Sequence, residues 1–295
     1  ESEGAVVYTK GPHTRVFINR EGLPTYEAKD VGLIFTKWDD YKFDKSVVIT
    51  GNDIIDYMKV VLASVGEMNP ELPARTSHLT HGQVKLPGSV KMSSRKGNFL
   101  KAVDVLDMIA DELKASYNSE DFKVALGAVK YAFLKYKMGG DIIFDPKESV
   151  KMTGNSGPYL QYSCVRAKKI IEKGNSNNSR PRSQQPVFTG VALFESPAGD
   201  SGHGLESFKL TFSEKSLMKK ILEYKGVLKE AVAEMAPHKV AGYLYELAQE
   251  FSRFYEKCPV AGSEFEAQRA KLVAIYLRTM LHGLDLLGIE VPEAM

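Results

Sequence analysis

The chain has 295 residues, of which 43% are hydrophobic and 26% are charged, and its formal net charge is +2. This composition fits a soluble globular protein of about two domains, not a disordered or membrane one. No apolar run approaches the ~20 residues that a membrane-spanning helix needs. The small net charge excludes a chain-wide polycation, but it leaves room for a local basic surface that binds nucleic acid.

The first third of the chain alternates strand-like and helix-like patterns. Apolar residues from Val31 to Trp38 recur at helical spacing. One predicted strand ends at Gly51, after which Asn52 and Asp53 can cap the next helix. This order is typical of open parallel sheets, in which ligands bind beyond the carboxyl ends of the strands. The predicted strands lie at residues 5–8, 15–19, 46–50 and 82–86.

The rest of the chain is predominantly helical in pattern. Pro237 occupies a favoured first helical position, and Ser263 with Glu266 forms a capping-box pattern. A polar, breaker-rich stretch at about 174–204 predicts a flexible surface loop. We therefore predict an α/β domain at residues 1–150 and an all-helical domain at 151–295. The predicted helices lie at residues 105–117, 122–137, 159–173, 217–228, 237–254 and 263–287.

A basic loop, Lys91-Met92-Ser93-Ser94-Arg95-Lys96-Gly97, joins a predicted strand to a predicted helix. Its cations could stabilise charge that develops on a transferring phosphate. Its glycine lets backbone N–H groups approach the phosphates. The alternative is an ordinary solvated basic loop.

This loop resembles the KMSKS signature of class I aminoacyl-tRNA synthetases, and its MSSRKGN wording is frequent in the arginyl family. Ser94 stands where KMSKS has its second lysine, so either Arg95 or Lys96 replaces that lysine. The resemblance implies that Lys91, Arg95 and Lys96 stabilise the reacting phosphates, with Mg²⁺ bound to the ATP phosphates. It implies that ATP is contacted by Met92, Ser93, Ser94 and Gly97.

The segment Thr25–Gly32 resembles the arginine-specificity segment of the same family. Tyr26 and Asp30 are four residues apart and therefore share one helical face. A carboxylate can bind a guanidinium through two hydrogen bonds, and a tyrosine ring can support the same cation. The alternative is that Tyr26 packs and Asp30 is a surface acid. Asp53 matches a family position beside arginine and ATP, although it could instead be a helix N-cap.

The segment Gly154–Tyr162, GNSGPYLQY, resembles the start of the DALR-type anticodon-binding domain of the arginyl family. Proteins that read RNA sequence commonly stack unpaired bases on aromatic rings or on arginine. Tyr162 and Arg166 are one helical turn apart, so we predict that both face one base. Tyr255 and Met295 match family positions that touch anticodon-loop bases. The alternative is that these side chains are packing residues of a helical bundle.

The resemblance covers the chain apart from about residues 174–204 and starts downstream of the HIGH motif. It implies the late part of a Rossmann-type class I catalytic domain followed by an all-α anticodon-binding bundle. It further implies an arginine–tRNA ligase with arginine, ATP and arginine tRNA as partners, cytoplasmic and monomeric, without a metal site of the protein's own. We expect this fragment to be incomplete for catalysis. The alternatives are a non-catalytic tRNA-binding module and, less favoured, a different class I synthetase.

Overall fold

The computed structural model describes residues 2–88, 101–176 and 210–295. These residues form two compact units. The first unit comprises residues 2–88 and 136–144, and the second comprises residues 101–135, 145–176 and 210–295. Relative to the predicted boundary near residue 150, this division assigns residues 101–135 to the helical unit.

Short strands and helices alternate in the first unit, as an α/β pattern predicts. Strand β1 pairs with β2 in antiparallel orientation, whereas β3 pairs with β4 and β5 pairs with β6 in parallel orientation. A 3₁₀ turn at Asn52–Ile54 precedes α2. The elements are β1 (Val6–Tyr8), β2 (Arg15–Ile18), α1 (Tyr26–Tyr41), β3 (Ser46–Gly51), α2 (Ile55–Met68), α3 (Glu71–Arg75), β4 (Thr76–His81), β5 (Val84–Lys85) and β6 (Ile142–Ile143).

Helix α1 packs against α2 through the apolar face that its residue spacing predicts. Ile34 is buried against Val61 and Val65 of α2 and Leu72 of α3. Burial of each aliphatic side chain of this size contributes about 1.5–3 kcal/mol. The helix ends at Lys42, which adopts the left-handed conformation and donates its N–H to Trp38. This packing fixes the start of α1 relative to α2.

The β3–β4 pair runs in register from Ser46 opposite Thr76 to Gly51 opposite His81. The sequence did not predict β4, because Thr-Ser-His-Leu-Thr-His lacks the apolar run of a buried strand. On β3, Val47 and Ile49 are 40% and 62% exposed. Parallel sheets are normally covered on both faces. Within the described residues, one face of this sheet therefore lacks its covering layer.

The second unit is built from helices around one large apolar core. The residues of α9 predicted to share a face, from Val240 to Phe254, are buried in that core together with Tyr276. Phe251 stacks on Tyr276 with ring centroids 4.0 Å apart. The helices are α4 (Ala102–Tyr117), α5 (Phe122–Leu134), α6 (Pro146–Ser149), α7 (Gly157–Ser176), α8 (Phe212–Ala233), α9 (Pro237–Lys257) and α10 (Glu266–Leu286).

Two glycines let α5 and α7 approach each other closely. A Cβ atom on Gly157 would lie 2.4 Å from the backbone oxygen of Gly127. A Cβ atom on Gly127 would lie 2.5 Å from Nε2 of Gln161. The close approach explains why residues 101–135, which include α5, belong with the helical unit.

Two helix starts differ from prediction. Helix α10 begins at Glu266 without a side-chain capping bond, so the predicted capping box at Ser263 is wrong. The Ser263 hydroxyl donates to Val260 O instead. A capping box does occur at the start of α8, where Thr211 and Glu214 satisfy each other's backbone N–H groups.

Helix α7 continues to Ser176, beyond its predicted end at Lys173. Most of the predicted 174–204 loop lies outside the described residues. None of the described helices combines the length and the apolar character needed to cross a bilayer.

Candidate functional site

Asp30 lies in α1 with its carboxylate held by a neighbouring helix. The Tyr57 hydroxyl of α2 donates to Asp30 Oδ2 at 2.5 Å. Burial, together with this hydrogen bond and the charge of Asp30, raises the pKa of Tyr57, so the phenol keeps its proton. The described residues provide no hydrogen bond to Oδ1. One carboxylate oxygen is therefore fixed by Tyr57, and the other can accept from a guanidinium.

Tyr26 opens α1 one turn before Asp30, and its side chain is 79% exposed. This exposure contradicts the alternative that Tyr26 is a packing residue. The Lys29 ammonium lies 5.7 Å from the centroid of its ring. The ring therefore already supports one cation, which is the interaction predicted for a bound arginine side chain.

A resident guanidinium also lies beside Tyr57. Arg15 of β2 has its guanidinium carbon 6.0 Å from the Tyr57 ring centroid and pairs with Glu27 at 3.7 Å. The surroundings of Asp30 thus contain tyrosine rings and a second carboxylate. Sequence reasoning missed Tyr57 and Arg15, because both contacts join separate elements.

Asp53 follows the carboxyl end of β3, where ligands of parallel sheets bind. It is exposed and lies in the 3₁₀ turn before α2. The N-cap residue of α2 is Ile54, and it has no side-chain capping bond, so the predicted capping by Asn52 and Asp53 is wrong. Asn52 instead donates to Gly139 O at 2.6 Å. Asp53 stays a predicted substrate contact four residues before Tyr57.

The predicted nucleotide loop, Lys91–Gly97, lies outside the described residues. Before it in the chain, His78 of β4 bonds through Nε2 to the Thr50 hydroxyl of β3 at 2.7 Å. Burial lowers the pKa of His78. This histidine therefore ties the two parallel strands together.

In the second unit, Arg166 of α7 lies over the ring of Tyr255 of α9. The guanidinium carbon is 4.1 Å from the ring centroid. Both side chains are partly exposed. A planar cation on a tyrosine ring is a surface on which an unstacked base can lie. The pairing joins two predicted tRNA contacts that are 89 positions apart in the chain.

Tyr162 and Met295, the other two predicted contacts, line a cavity of about 240 Å³. Tyr162 is 40% exposed. Its cavity walls also include Tyr117 at the end of α4 and Met152 before α7. Arg166 lies on the Tyr255 ring, whereas Tyr162 lines the cavity. That Tyr162 and Arg166 face one base stays a prediction.

A buried amide holds the C-terminal tail beside this cavity. Gln161 is fully buried, and its Nε2 donates to Glu290 O at 2.6 Å and to Lys123 O at 3.0 Å. The Lys130 ammonium also donates to Gly288 O. Lys123 forms an ion pair with the Glu290 carboxylate at 3.0 Å. These bonds attach the tail to α5 and α7 and so position Met295.

Helix α7 also supplies positive charge. Helix α7 carries Arg166, Lys168, Lys169 and Lys173 against one carboxylate, Glu172. Lysine and arginine contacts to phosphates position a protein on RNA without reading its sequence. The helix therefore carries both the residues predicted to contact bases and cations of the kind that bind phosphates.

Comparison with known proteins agrees with this arrangement. A family model described as the DALR anticodon binding domain matches residues 160–295. The arginine–tRNA ligases of Parabacteroides distasonis and Flavobacterium psychrophilum are 28% and 29% identical to the chain over 97% of its length. The chain is similar to arginyl-tRNA synthetases over nearly its whole length, and its residues 160–295 match their anticodon-binding domain. It spans about half of these relatives, 47% and 46% of their lengths.

Solved arginyl-tRNA synthetases share the fold. The Thermus thermophilus arginyl-tRNA synthetase has a TM-score of 0.76 at 24% identity, covering 99% of this chain and 54% of that one. The Plasmodium falciparum structure has a TM-score of 0.73 at 18% identity, covering 100% of this chain and 49% of that one. The predicted fold class, α/β followed by a helical anticodon-binding bundle, is confirmed.

Several residues around the predicted tRNA contacts were not predicted from sequence. Gln161 lies inside the GPYLQY segment, but nothing local indicates that its amide reaches Glu290. Tyr117 and Met152 line the cavity without any motif of their own. The one available signal is that Gln161 is a polar residue at an otherwise buried helical position, which indicates that its amide has a hydrogen-bond partner.

Proposed function

We propose that this chain is part of an arginine–tRNA ligase. In the proposed reaction the carboxylate of arginine attacks the α-phosphate of ATP, which gives arginyl-adenylate and releases pyrophosphate. A 3′-terminal hydroxyl of arginine tRNA then attacks the adenylate carbonyl and releases AMP. No protein nucleophile is required, so the protein contributes positioning and electrostatic stabilisation.

The observation that carries the proposal is the Asp30 carboxylate, held by Tyr57 with one oxygen available, in a chain that also has an anticodon-binding domain. A carboxylate placed for a guanidinium selects the amino acid, and the domain selects the tRNA. Lys91, Arg95 and Lys96 would stabilise the phosphates, and Mg²⁺ would accompany the ATP phosphates. We place the enzyme in the cytoplasm as a monomer.

Arginine binding by the chain tests this assignment. We expect saturable binding of arginine but not of citrulline, which has the same shape without the charge. Asp30→Asn should abolish the preference, because an amide cannot neutralise the guanidinium. Asp39→Asn is the matched control, since Asp39 lies on α1 in an exposed pair with Lys42. Equal arginine affinity for Asp30→Asn and the unchanged chain would contradict the assignment.

The exposed face of β3 supports a further expectation, that this fragment does not complete the catalytic domain. We predict no arginine-dependent exchange of pyrophosphate into ATP by the isolated chain. An exchange signal would refute that expectation. The second candidate function is a non-catalytic tRNA-binding module. It is favoured if the chain binds tRNA normally and shows no arginine binding at millimolar concentration.

A further inference from the structure

The predicted arginine site contains a second carboxylate that the proposed function does not use. Glu27 lies three residues before Asp30 on α1, and side chains at this spacing are neighbours on a helix surface, with Cβ atoms about 5–6 Å apart. Burial, the hydrogen bond to Asp30, and then the charges of Asp30 and Glu27 raise the pKa of the Tyr57 phenol. Both carboxylates therefore lie close to the same tyrosine.

Glu27 is buried more deeply than its interactions explain. Its side chain is only 12% exposed, yet within the described residues its carboxylate accepts no hydrogen bond. Its ion pair there is with Arg15 of β2 at 3.7 Å, which is longer than a hydrogen bond. The Arg15 side chain is 40% exposed, so water screens this pair. Carboxylates this deeply buried ordinarily have close donors, so Glu27 has the capacity to accept from a ligand.

Arg15 shows that a guanidinium fits beside Glu27. Its guanidinium carbon lies 6.0 Å from the centroid of the Tyr57 ring. The strand that carries Arg15 is attached to the start of α1, because the Thr25 hydroxyl donates to Val16 O at 2.7 Å. Arg15 is therefore a loosely held counter-ion of Glu27, which a cation with closer contacts can displace.

Asp30 alone leaves most donors of an arginine side chain unpaired. Tyr57 donates to Oδ2, so Asp30 offers Oδ1, whereas a guanidinium has five N–H donors spread over its edges. Two carboxylates one helical turn apart can accept from two edges of one planar guanidinium. The ammonium of lysine is a compact point charge that one carboxylate satisfies. A second carboxylate therefore favours arginine over lysine.

We propose that Glu27 is a further specificity-determining residue of the arginine site, which accepts from one edge of the guanidinium while Asp30 accepts from another. The inference rests on the proposed function and deepens it, because it assigns the selection of arginine over lysine to two carboxylates acting together. Arg15 is the resident counter-ion of Glu27 and competes with the ligand for it.

Calorimetric titration of the full chain with arginine and with lysine, at 0.1 M ionic strength, tests the proposal. Glu27→Gln replaces a charge-assisted hydrogen bond to arginine with a neutral one, and should lower the ratio of arginine affinity to lysine affinity by roughly 5- to 30-fold. Arg15→Gln removes the competing counter-ion and should raise arginine affinity by about 2- to 5-fold. A merely structural ion pair predicts effects of the same sign, because both substitutions break it.

The ion pair between Lys10 and Glu67 supplies matched controls. It also joins the β1–β2 segment to a helix of the same unit, with the two charged groups 2.9 Å apart and both side chains exposed. Glu67 lies about 15 Å along α2 from Tyr57, beyond the ~10 Å over which exposed charges interact at this ionic strength. Glu67→Gln and Lys10→Gln make the same changes of charge and should leave both affinities within about twofold of the unchanged chain.

An affinity ratio that Glu27→Gln leaves unchanged overturns the inference, and so does an Arg15→Gln variant that does not raise arginine affinity. In either case, arginine binding that requires Asp30 leaves the proposed function intact. An unchanged chain that binds no arginine contradicts the proposed function and removes this inference with it. Urea unfolding checks that each variant is folded, and if Glu27→Gln is not, the sign of the Arg15→Gln effect decides.

Discussion

The amide of Gln161 provides a quantitative test of how the C-terminal tail is held. Gln161→Glu keeps the shape of the side chain but replaces the Nε2 donor with an oxygen that faces Glu290 O and Lys123 O. An ionised carboxylate there would be buried against two carbonyl oxygens. The variant should therefore fold with its introduced carboxyl group protonated, or else release the tail.

The cost follows from the protonation. Binding a proton at pH 7 to a group whose ordinary pKa is about 4.3 costs about 3.7 kcal/mol, at 1.36 kcal/mol for each pKa unit. The protonated acid has one donor and can keep one of the two bonds, so the lost bond adds about 0.5–1.5 kcal/mol. We expect the free energy of unfolding to fall by roughly 4–5 kcal/mol at pH 7. The loss is smaller if the chain instead releases the tail and exposes the carboxylate.

The sign of the pH dependence is fixed by the same reasoning. The folded-state pKa of the introduced carboxyl group is raised above its unfolded value. The penalty is therefore largest at neutral pH and shrinks by about 1.4 kcal/mol per pH unit as the pH falls toward 4.3. Urea unfolding of the full chain, followed by far-ultraviolet circular dichroism at several pH values, measures this difference.

The matched control is Gln249→Glu. Gln249 is half-buried on α9, and among the described residues its side chain bonds to the nearby Tyr245 hydroxyl, which can donate to a carboxylate instead. Gln249→Glu should lower the free energy of unfolding by less than about 1 kcal/mol. A Gln161→Glu variant that matches this control in stability and in affinity for arginine tRNA would refute the account of the tail.

Three further predictions concern the second unit. Arg269→Met should lower the free energy of unfolding in urea by about 3–5 kcal/mol, because the buried Glu214 carboxylate loses the guanidinium that lies 2.8 Å away. Arg253→Met removes one partner of an exposed ion pair and should lower it by at most about 1 kcal/mol. Burial opposes ionisation of Glu214, but hydrogen bonds from Arg269 and Thr211 outweigh it and hold the pKa of the carboxyl group below its ordinary 4.5. The stabilisation by this ion pair should therefore be lost only as the pH falls below that value. Equal losses of stability in the two arginine variants would contradict the buried pair. Gly157→Ala should destabilise the chain by about 1–3 kcal/mol, because the new Cβ meets a backbone oxygen, and a neutral effect would mean that α5 and α7 are not in contact. Cys164 should resist iodoacetamide until global unfolding, since burial raises the pKa of its thiol to about 12, and labelling under native conditions would contradict that burial.

Local signals in the sequence predicted the helical unit well. Pro237 marks the start of α9, and the spacing from Val240 to Phe254 predicts its buried face, because both depend on residues within one helix. The start of α10 was mispredicted because the Ser263 hydroxyl bonds locally to Val260 O, an alternative open to any serine.

Contacts between distant segments could not be predicted in the same way. Tyr57 reaches Asp30 across 27 positions, and Gln161 reaches Glu290 across 129. Strand β4 was missed because its polar residues are paired by the parallel ladder and not by their own pattern. The family resemblance supplied Asp30 and Tyr162 as candidates, but only the three-dimensional contacts identify the neighbours that hold them.

The most direct test of the central claim is binding of the chain to arginine tRNA at one fixed salt concentration. A second transcript should differ only in the middle base of the anticodon. Each base-specific contact is worth about 1–3 kcal/mol, whereas phosphate contacts are indifferent to sequence. The account predicts at least a fivefold preference for the unchanged tRNA. Equal affinities would mean that residues 160–295 bind only the RNA backbone, and would contradict the roles of Tyr162, Arg166, Tyr255 and Met295.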